Sequence, residues 1–86
     1  MKEIIGGKRY DTETARVIAE RDCYENGNYC GTDYVGVTPR GVVFGWSTSN
    51  GQDLYRSSEI TLEVSLDGLQ IVDEVLAVKY KLIEEA

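Results

Sequence analysis

The chain has 86 residues, with fifteen acidic and nine basic side chains, a net charge of −6 and no histidine. Its length fits one small domain with little room for a deep active-site cavity, and the missing histidine removes the usual general base and the commonest metal ligand. The acidic balance argues against direct binding to nucleic acid, which needs a basic patch, and favours partners with basic surfaces.

The first 22 residues predict a strand followed by a helix. A short strand is expected within residues 3–10, where Gly6 and Gly7 form a bend or bulge. Asp11 or Thr12 can then accept hydrogen bonds from the free N–H groups at the start of a helix. Apolar side chains follow at helical spacing, so the stretch "DTETARVIAERD", residues 11–22, predicts a short amphipathic helix.

The middle of the chain predicts a loop and then a hairpin. The stretch "CYENGNYCGT", residues 23–32, has the turn-forming run Asn-Gly-Asn and is typical of a polar loop. Two β-rich runs then flank "TPRG", where Pro39 presets the first turn dihedral and Gly41 tolerates a positive φ. The second strand presents one face to the core, made of Val42, Phe44 and Trp46.

The last third is predicted from weaker patterns. Residues 50–58 predict a second polar loop, and "EITLEV", residues 59–64, alternates as a strand does. Residues 66–85 fit either a hairpin across Asp67–Gly68 or a helix. We favour the helix, because the apolar residues fall into two neighbouring rows opposite a polar side. The β-branched residues favour strands, so the hairpin is kept as the alternative.

These elements predict a single α+β domain over residues 1–86. Their order is β-α-β-β-β-α, with a three- to four-stranded antiparallel sheet and two helices on one of its faces. The chain contains no internal repeat and no low-complexity tract that would suggest another organisation.

Composition also bears on compartment and cofactors. The opening "MKEIIGGKRY" lacks the apolar region of a signal peptide, and no apolar run reaches about 18 residues, so we expect a cytoplasmic protein that does not span a membrane. Cys23 and Cys30 are expected as reduced thiols, and a disulfide between them is kept as the alternative. Without histidine they do not complete a zinc site, and we expect neither metal nor cofactor.

The sequence contains no recognisable catalytic set. It has no "GxxxxGK[ST]" or "GxGxxG" motif that would hold phosphates. Adjacent carboxylates such as those of Asp73 and Glu74 do not face each other on a helix. Cys23 would need a positive neighbour to act as a nucleophile, and Arg21 is the nearest in sequence. We therefore expect a protein that is not an enzyme.

Aromatic and acidic side chains are the candidate partner-binding residues. Tyr and Trp are favoured anchors of protein interfaces. Residues 59–86 carry seven acids against two lysines, whereas residues 1–22 carry five acids and five bases, so the charge that steers a basic partner is expected mainly in the last segment. The predicted partner-binding residues are Tyr24, Tyr29, Trp46, Tyr55, Asp67, Asp73 and Glu74.

The stretch "GKRYDTETARVIA", residues 7–19, resembles the opening of small proteins of bacterial prophages and mobile elements, which follow a pattern like G-K-x-Y-D-T-x-T-A. The chain departs from that family in its hairpin turn, "TPRG" instead of a Lys-Gly turn, and in lacking a Gly-Glu-Gly-Gly run. The resemblance implies an accessory protein of a mobile element, a group that includes anti-CRISPR and other anti-defence proteins, and it supplies no catalytic residues.

Our hypothesis from the sequence is a small acidic inhibitor or adaptor that is not an enzyme. Its partner would be a basic protein that handles nucleic acid, such as a CRISPR effector, without direct contact between the chain and nucleic acid or a membrane. Two alternatives stay open. One is a homo-oligomeric structural or assembly protein, for instance a homodimer, and the other is a small thiol-dependent enzyme that works through Cys23.

Overall fold

The computed structural model describes residues 1–49 and 59–83. Within these ranges about half of the residues lie in strands, and a single helix spans six residues. The elements are β1 Lys2–Ile5, β2 Lys8–Asp11, β3 Arg16–Glu25, β4 Asn28–Val37, β5 Val43–Ser47, β6 Glu59–Thr61, β7 Gln70–Ile71 and α1 Glu74–Lys79.

The strands form two antiparallel sheets. Strands β1 and β2 make a two-stranded sheet, and the larger sheet has the order β6-β5-β4-β3-β7. Two-residue turns join β1 to β2 and β3 to β4, at Gly6–Gly7 and Asn26–Gly27. All four turn residues have positive φ, which is the conformation of hairpin turns that match the twist of the strands.

Apolar side chains cover both faces of the larger sheet. On one face α1 packs over a cluster that we call the helix-side core, made of Ile18, Val37, Leu76 and Ala77. The other face carries the hairpin-side core, in which β2 contributes Tyr10 above the β5 residues Phe44 and Trp46. The Phe44 ring lies 5.3 Å from the Tyr10 ring and 5.1 Å from the Trp46 ring, centroid to centroid. The sheet is therefore the middle layer of the protein.

The predicted α+β class is wrong, because residues 11–22 are not helical. Asp11 ends β2, and its Oδ1 accepts a hydrogen bond from the Glu13 N–H at 3.0 Å, which closes a tight turn. The chain then enters β3 at Arg16. Val17 packs against the hairpin-side core and Ile18 lies fully buried in the helix-side core. Because both faces of β3 are covered there, the strand loses the alternation that would have identified it.

The predicted helix over residues 66–85 is also wrong over most of its length. The Leu69 N–H donates to the Leu66 carbonyl at 3.0 Å and Gly68 has φ of +78°, so the segment begins with a turn. β7 follows and pairs with β3, which excludes the alternative hairpin across Asp67–Gly68 as well. The helix itself extends only over Glu74–Lys79. A segment whose strand partner is remote in the chain carries little local signal of its structure.

The predicted hairpin around "TPRG" is confirmed. β4 and β5 pair from Val37–Val43 to Asp33–Ser47. The Gly41 N–H donates to the Thr38 carbonyl at 2.9 Å, and Gly41 has φ of +90° as the turn requires. Phe44 and Trp46 are buried on the predicted face, and β6 lies within the predicted strand 59–64. The predicted loop 50–58 lies outside the described residues.

Asp73→Ala is expected to lower the free energy of unfolding by about 1 kcal/mol, because Asp73 is the N-cap of α1. Its Oδ1 accepts a hydrogen bond from the Leu76 N–H at 3.0 Å. The matched control is Asp67→Ala in an exposed turn, with an expected change below about 0.5 kcal/mol. Urea denaturation followed by circular dichroism measures both variants, and equal losses would contradict the capping role.

Candidate functional site

The hairpin of β3 and β4 extends past its neighbours in the larger sheet. β7 reaches β3 at Glu20, and β5 reaches β4 at Asp33. Beyond these two positions no other described strand pairs with the hairpin, which continues to the Asn26–Gly27 turn. We call residues 20–33 the hairpin arm. Its backbone pairing is regular apart from a shift between Cys23 and Tyr24.

Two tyrosines lie opposite each other near the tip of the hairpin arm. Tyr24 and Tyr29 are register partners, and their ring centroids are 5.8 Å apart in an edge-to-face arrangement. Such cross-strand aromatic pairs stabilise a two-stranded hairpin. The Tyr24 side chain is 62% exposed and that of Tyr29 is 43% exposed, so the pair presents aromatic surface to solvent.

The hairpin arm has an excess of negative charge. It carries four acids against one base, so its formal charge is −3. The single base, Arg21, donates to the Asp33 carboxylate, with 2.9 Å between Nη2 and Oδ2. This ion pair leaves three arm acids without an arm cation, which are Glu20, Asp22 and Glu25.

Hydrogen bonds within the hairpin arm and from β5 and the residue after it hold the arm in place. The buried Thr32 hydroxyl donates to Asp22 Oδ1 at 2.9 Å and therefore accepts from the Tyr29 hydroxyl. Ser47 on β5 donates to Asp33 Oδ1 at 3.0 Å. Thr48, just after β5, donates its N–H to the Thr32 carbonyl at 2.9 Å. These contacts fix the arm to the sheet and order it before any partner arrives.

The structure brings together some of the predicted partner-binding residues and separates others. Tyr24 and Tyr29 form the tip pair, whereas Trp46 is only 6% exposed and belongs to the hairpin-side core. Tyr55 lies outside the described residues. Asp67 lies in the turn whose Gly68 approaches Arg21, with 3.0 Å between Arg21 Nη1 and the position of an added Cβ on Gly68.

The remaining two predicted residues lie at α1, away from the arm tip. The Asp73 carboxylate caps the helix, as described above, and Glu74 is exposed in its first turn. Replacing Asp73 would therefore alter the helix together with any contact to a partner. Because the Glu74 side chain is exposed, replacing it tests whether the acidic helix contacts a partner without removing the helix cap.

Cys23 and Cys30 do not form a disulfide with each other; Cys23 is half-buried and Cys30 is buried. Within residues 1–49 and 59–83 no three side chains of the types His, Cys, Asp and Glu lie together as metal ligands. In the same ranges no helix has the length and apolar character to cross a membrane.

The acidic character of the hairpin arm is the feature that the sequence prediction missed. Glu20 and Asp22 were assigned to a predicted helix in a stretch without net charge, and Glu25 to the predicted loop 23–32. A two-residue Asn-Gly turn between two runs rich in Val, Ile, Thr and Tyr is a strong hairpin signal. Reading residues 16–37 in that way would have placed these acids on one arm.

Comparison of the chain with protein-family models, with curated proteins and with solved structures gives no match. The hairpin arm offers exposed aromatic surface, an excess of carboxylates over basic side chains and a fixed backbone, which together suit the recognition of another protein.

Proposed function

We propose that this chain is a non-enzymatic binding protein whose hairpin arm contacts a basic surface on a protein that handles nucleic acid. The observation that carries the proposal is the exposed Tyr24–Tyr29 pair at the tip of an arm with a formal charge of −3. Short-range anchoring and long-range attraction are thereby combined on one element.

The tyrosine pair is the proposed anchor. Tyr side chains bury a large amphipathic area at a low cost in side-chain entropy, and they are enriched among the residues that dominate binding energy. Because Tyr24 and Tyr29 already contact each other, part of that entropy is lost before the partner binds. The network through Thr32 and Asp22 fixes the Tyr29 hydroxyl further.

The carboxylates of the arm are proposed to determine which proteins the chain binds. Proteins that bind nucleic acid carry clustered Lys and Arg side chains at their phosphate sites. Glu20, Asp22 and Glu25 can occupy such sites as phosphate mimics, which would block the partner's substrate. The resemblance of residues 7–19 to mobile-element proteins supports an anti-defence role, with a CRISPR effector in the host cytoplasm as the favoured partner.

The double charge reversal Glu20→Lys and Glu25→Lys is expected to slow association by about tenfold at low salt and to reduce its salt dependence. Purified CRISPR effectors and other basic nucleic-acid-binding proteins are captured on the immobilised chain across a salt series, and the rates are measured by surface plasmon resonance. Tyr24→Ala is expected instead to speed dissociation by about tenfold or more.

The matched control is the double reversal Glu13→Lys and Glu63→Lys, which changes the net charge equally at exposed positions outside the arm. Circular dichroism confirms that each variant folds. If both double reversals slow association equally, the effect comes from the net charge of the protein, and a specific role of the arm is contradicted. If none of the CRISPR effectors or other basic nucleic-acid-binding proteins is captured in a salt-sensitive way, the proposed function is wrong.

A further inference from the structure

A cleft of about 650 Å³ lies at the opposite end of the β3–β4 hairpin from the arm tip. One wall is β2 with the turn after it, and the other is the "TPRG" turn between β4 and β5. Its size falls in the range of sites for small molecules, which is about 300–1,000 Å³.

The cleft concentrates positive charge in an acidic protein. Lys8, Arg9 and Arg40 line it against one acid, Asp11. The Asp11 Oδ1 already accepts a hydrogen bond from the Glu13 N–H at 3.0 Å. Within residues 1–49 and 59–83 none of the three cations makes an ion pair. Three of the nine basic residues in the sequence therefore line one cleft, and none of them forms an ion pair with an acid in the part of the chain that the structure describes.

Both walls of the cleft are fixed by local hydrogen bonds. Arg40 lies in the turn closed by Gly41 N–H to Thr38 carbonyl at 2.9 Å, and the Val42 N–H donates to Thr38 Oγ1 at 3.0 Å. On the opposite wall the Thr14 hydroxyl donates to the Asp11 carbonyl at 3.3 Å. The cations are thus carried by backbone that is ordered without a ligand, which lowers the entropic cost of binding.

Part of the lining of the cleft, which we call its floor, is apolar. Tyr10, Pro39 and Val42 contribute to its lining. Tyr10 is 5% exposed and packs on Phe44, so the floor belongs to the hairpin-side core. Alternation along β2 places Lys8 on the same side as Tyr10, and its stem therefore leads towards the floor.

We propose that this cleft binds a small organic phosphate of mononucleotide size. Arg40 and Lys8 would contact the phosphate, for which the planar guanidinium provides paired donors and the ammonium a point charge. The ring of the ligand would lie on the floor formed by Tyr10, Pro39 and Val42. The site is independent of the hairpin arm, so this proposal does not rest on the binding function proposed above.

The test titrates the full chain with adenosine monophosphate, inorganic phosphate and adenosine, and follows backbone amide shifts by nuclear magnetic resonance. Saturable shifts at residues 7–14 and 38–42 are expected with adenosine monophosphate. Binding should be weaker by about tenfold with inorganic phosphate and absent with adenosine. Added salt should weaken the binding of the monophosphate, because the contact is between charges.

Arg40→Gln and Lys8→Gln are each expected to reduce the affinity for adenosine monophosphate by about tenfold. Lys79→Gln on α1, outside the cleft, is the matched control and should leave it unchanged. Shifts that do not saturate, or affinity that survives both cleft variants, would overturn the proposal. Equal affinity for inorganic phosphate and adenosine monophosphate would contradict a contact between the ring of the ligand and the apolar floor. An affinity that grows with oligonucleotide length would show that the cleft binds nucleic acid and not a small ligand.

Discussion

Phe44→Ala is expected to lower the free energy of unfolding by about 3–5 kcal/mol, the cost of removing a large buried aromatic side chain. Phe44 is fully buried on β5, between the Tyr10 ring of β2 and the Trp46 ring of its own strand. A domain of this length has a stability of roughly 4–13 kcal/mol. The loss is therefore a large share of the total, and it should also loosen β1 and β2 from the sheet.

Urea denaturation monitored by Trp46 fluorescence and by circular dichroism measures the loss. Ile4→Ala is the matched control, because Ile4 is 73% exposed on β1 and its truncation removes little buried surface. Its expected effect is below about 0.5 kcal/mol. A Phe44→Ala variant as stable as this control would mean that the hairpin-side core does not hold the two sheets together.

Gly36→Ala is expected to cost about 3 kcal/mol, near the upper end for overpacking a tight site. A Cβ at Gly36 would lie 2.6 Å from the Arg16 carbonyl oxygen, and 2.8 and 2.9 Å from Cζ3 and Cη2 of Trp46. The indole ring can shift, whereas the carbonyl belongs to the backbone of β3. Adding Trp46→Leu to Gly36→Ala should therefore fail to restore stability.

The matched control is Gly45→Ala on the neighbouring strand. There an added Cβ meets a side-chain methyl, Thr61 Cγ2, at 3.0 Å and no backbone atom below 3.3 Å. Thermal unfolding by calorimetry compares the two glycine variants. A loss for Gly45→Ala equal to that for Gly36→Ala, or rescue of the latter by Trp46→Leu, would contradict the backbone clash.

The parts of the fold that were predicted correctly are those that local chemistry specifies. The "TPRG" turn carries its signal in Pro39 and Gly41, and the alternation of β5 survives because Phe44 and Trp46 point to the same core. Residues 16–22 of β3 were predicted as part of a helix, because the apolar residues there, Val17, Ile18 and Ala19, fit a helical spacing. Coverage from two sides makes a buried strand resemble a short helix in sequence.

The candidate sites depend on contacts between remote residues, and the sequence therefore revealed less of them. Tyr24 and Tyr29 were predicted as partner-binding residues from their type and their place in a predicted loop, and their pairing required knowledge of the hairpin. The cleft joins residues 7–14 to residues 38–42. Nothing in either stretch indicates the other, so a cationic pocket in an acidic chain was not predictable.

The pairing of β7 with β3 has a consequence for the order in which the chain folds. Ala19 and Ile71 are register partners about fifty residues apart in the chain, whereas the β3–β4 turn joins neighbouring residues. The two hairpins that share β4 should form first, since they close short loops. Ile18 and Val37 then stay uncovered until Leu76 and Ala77 arrive, so the slow step is the docking of the C-terminal segment. During that interval the unpaired edge of β3 can pair with another chain, so aggregation is expected to start at this edge.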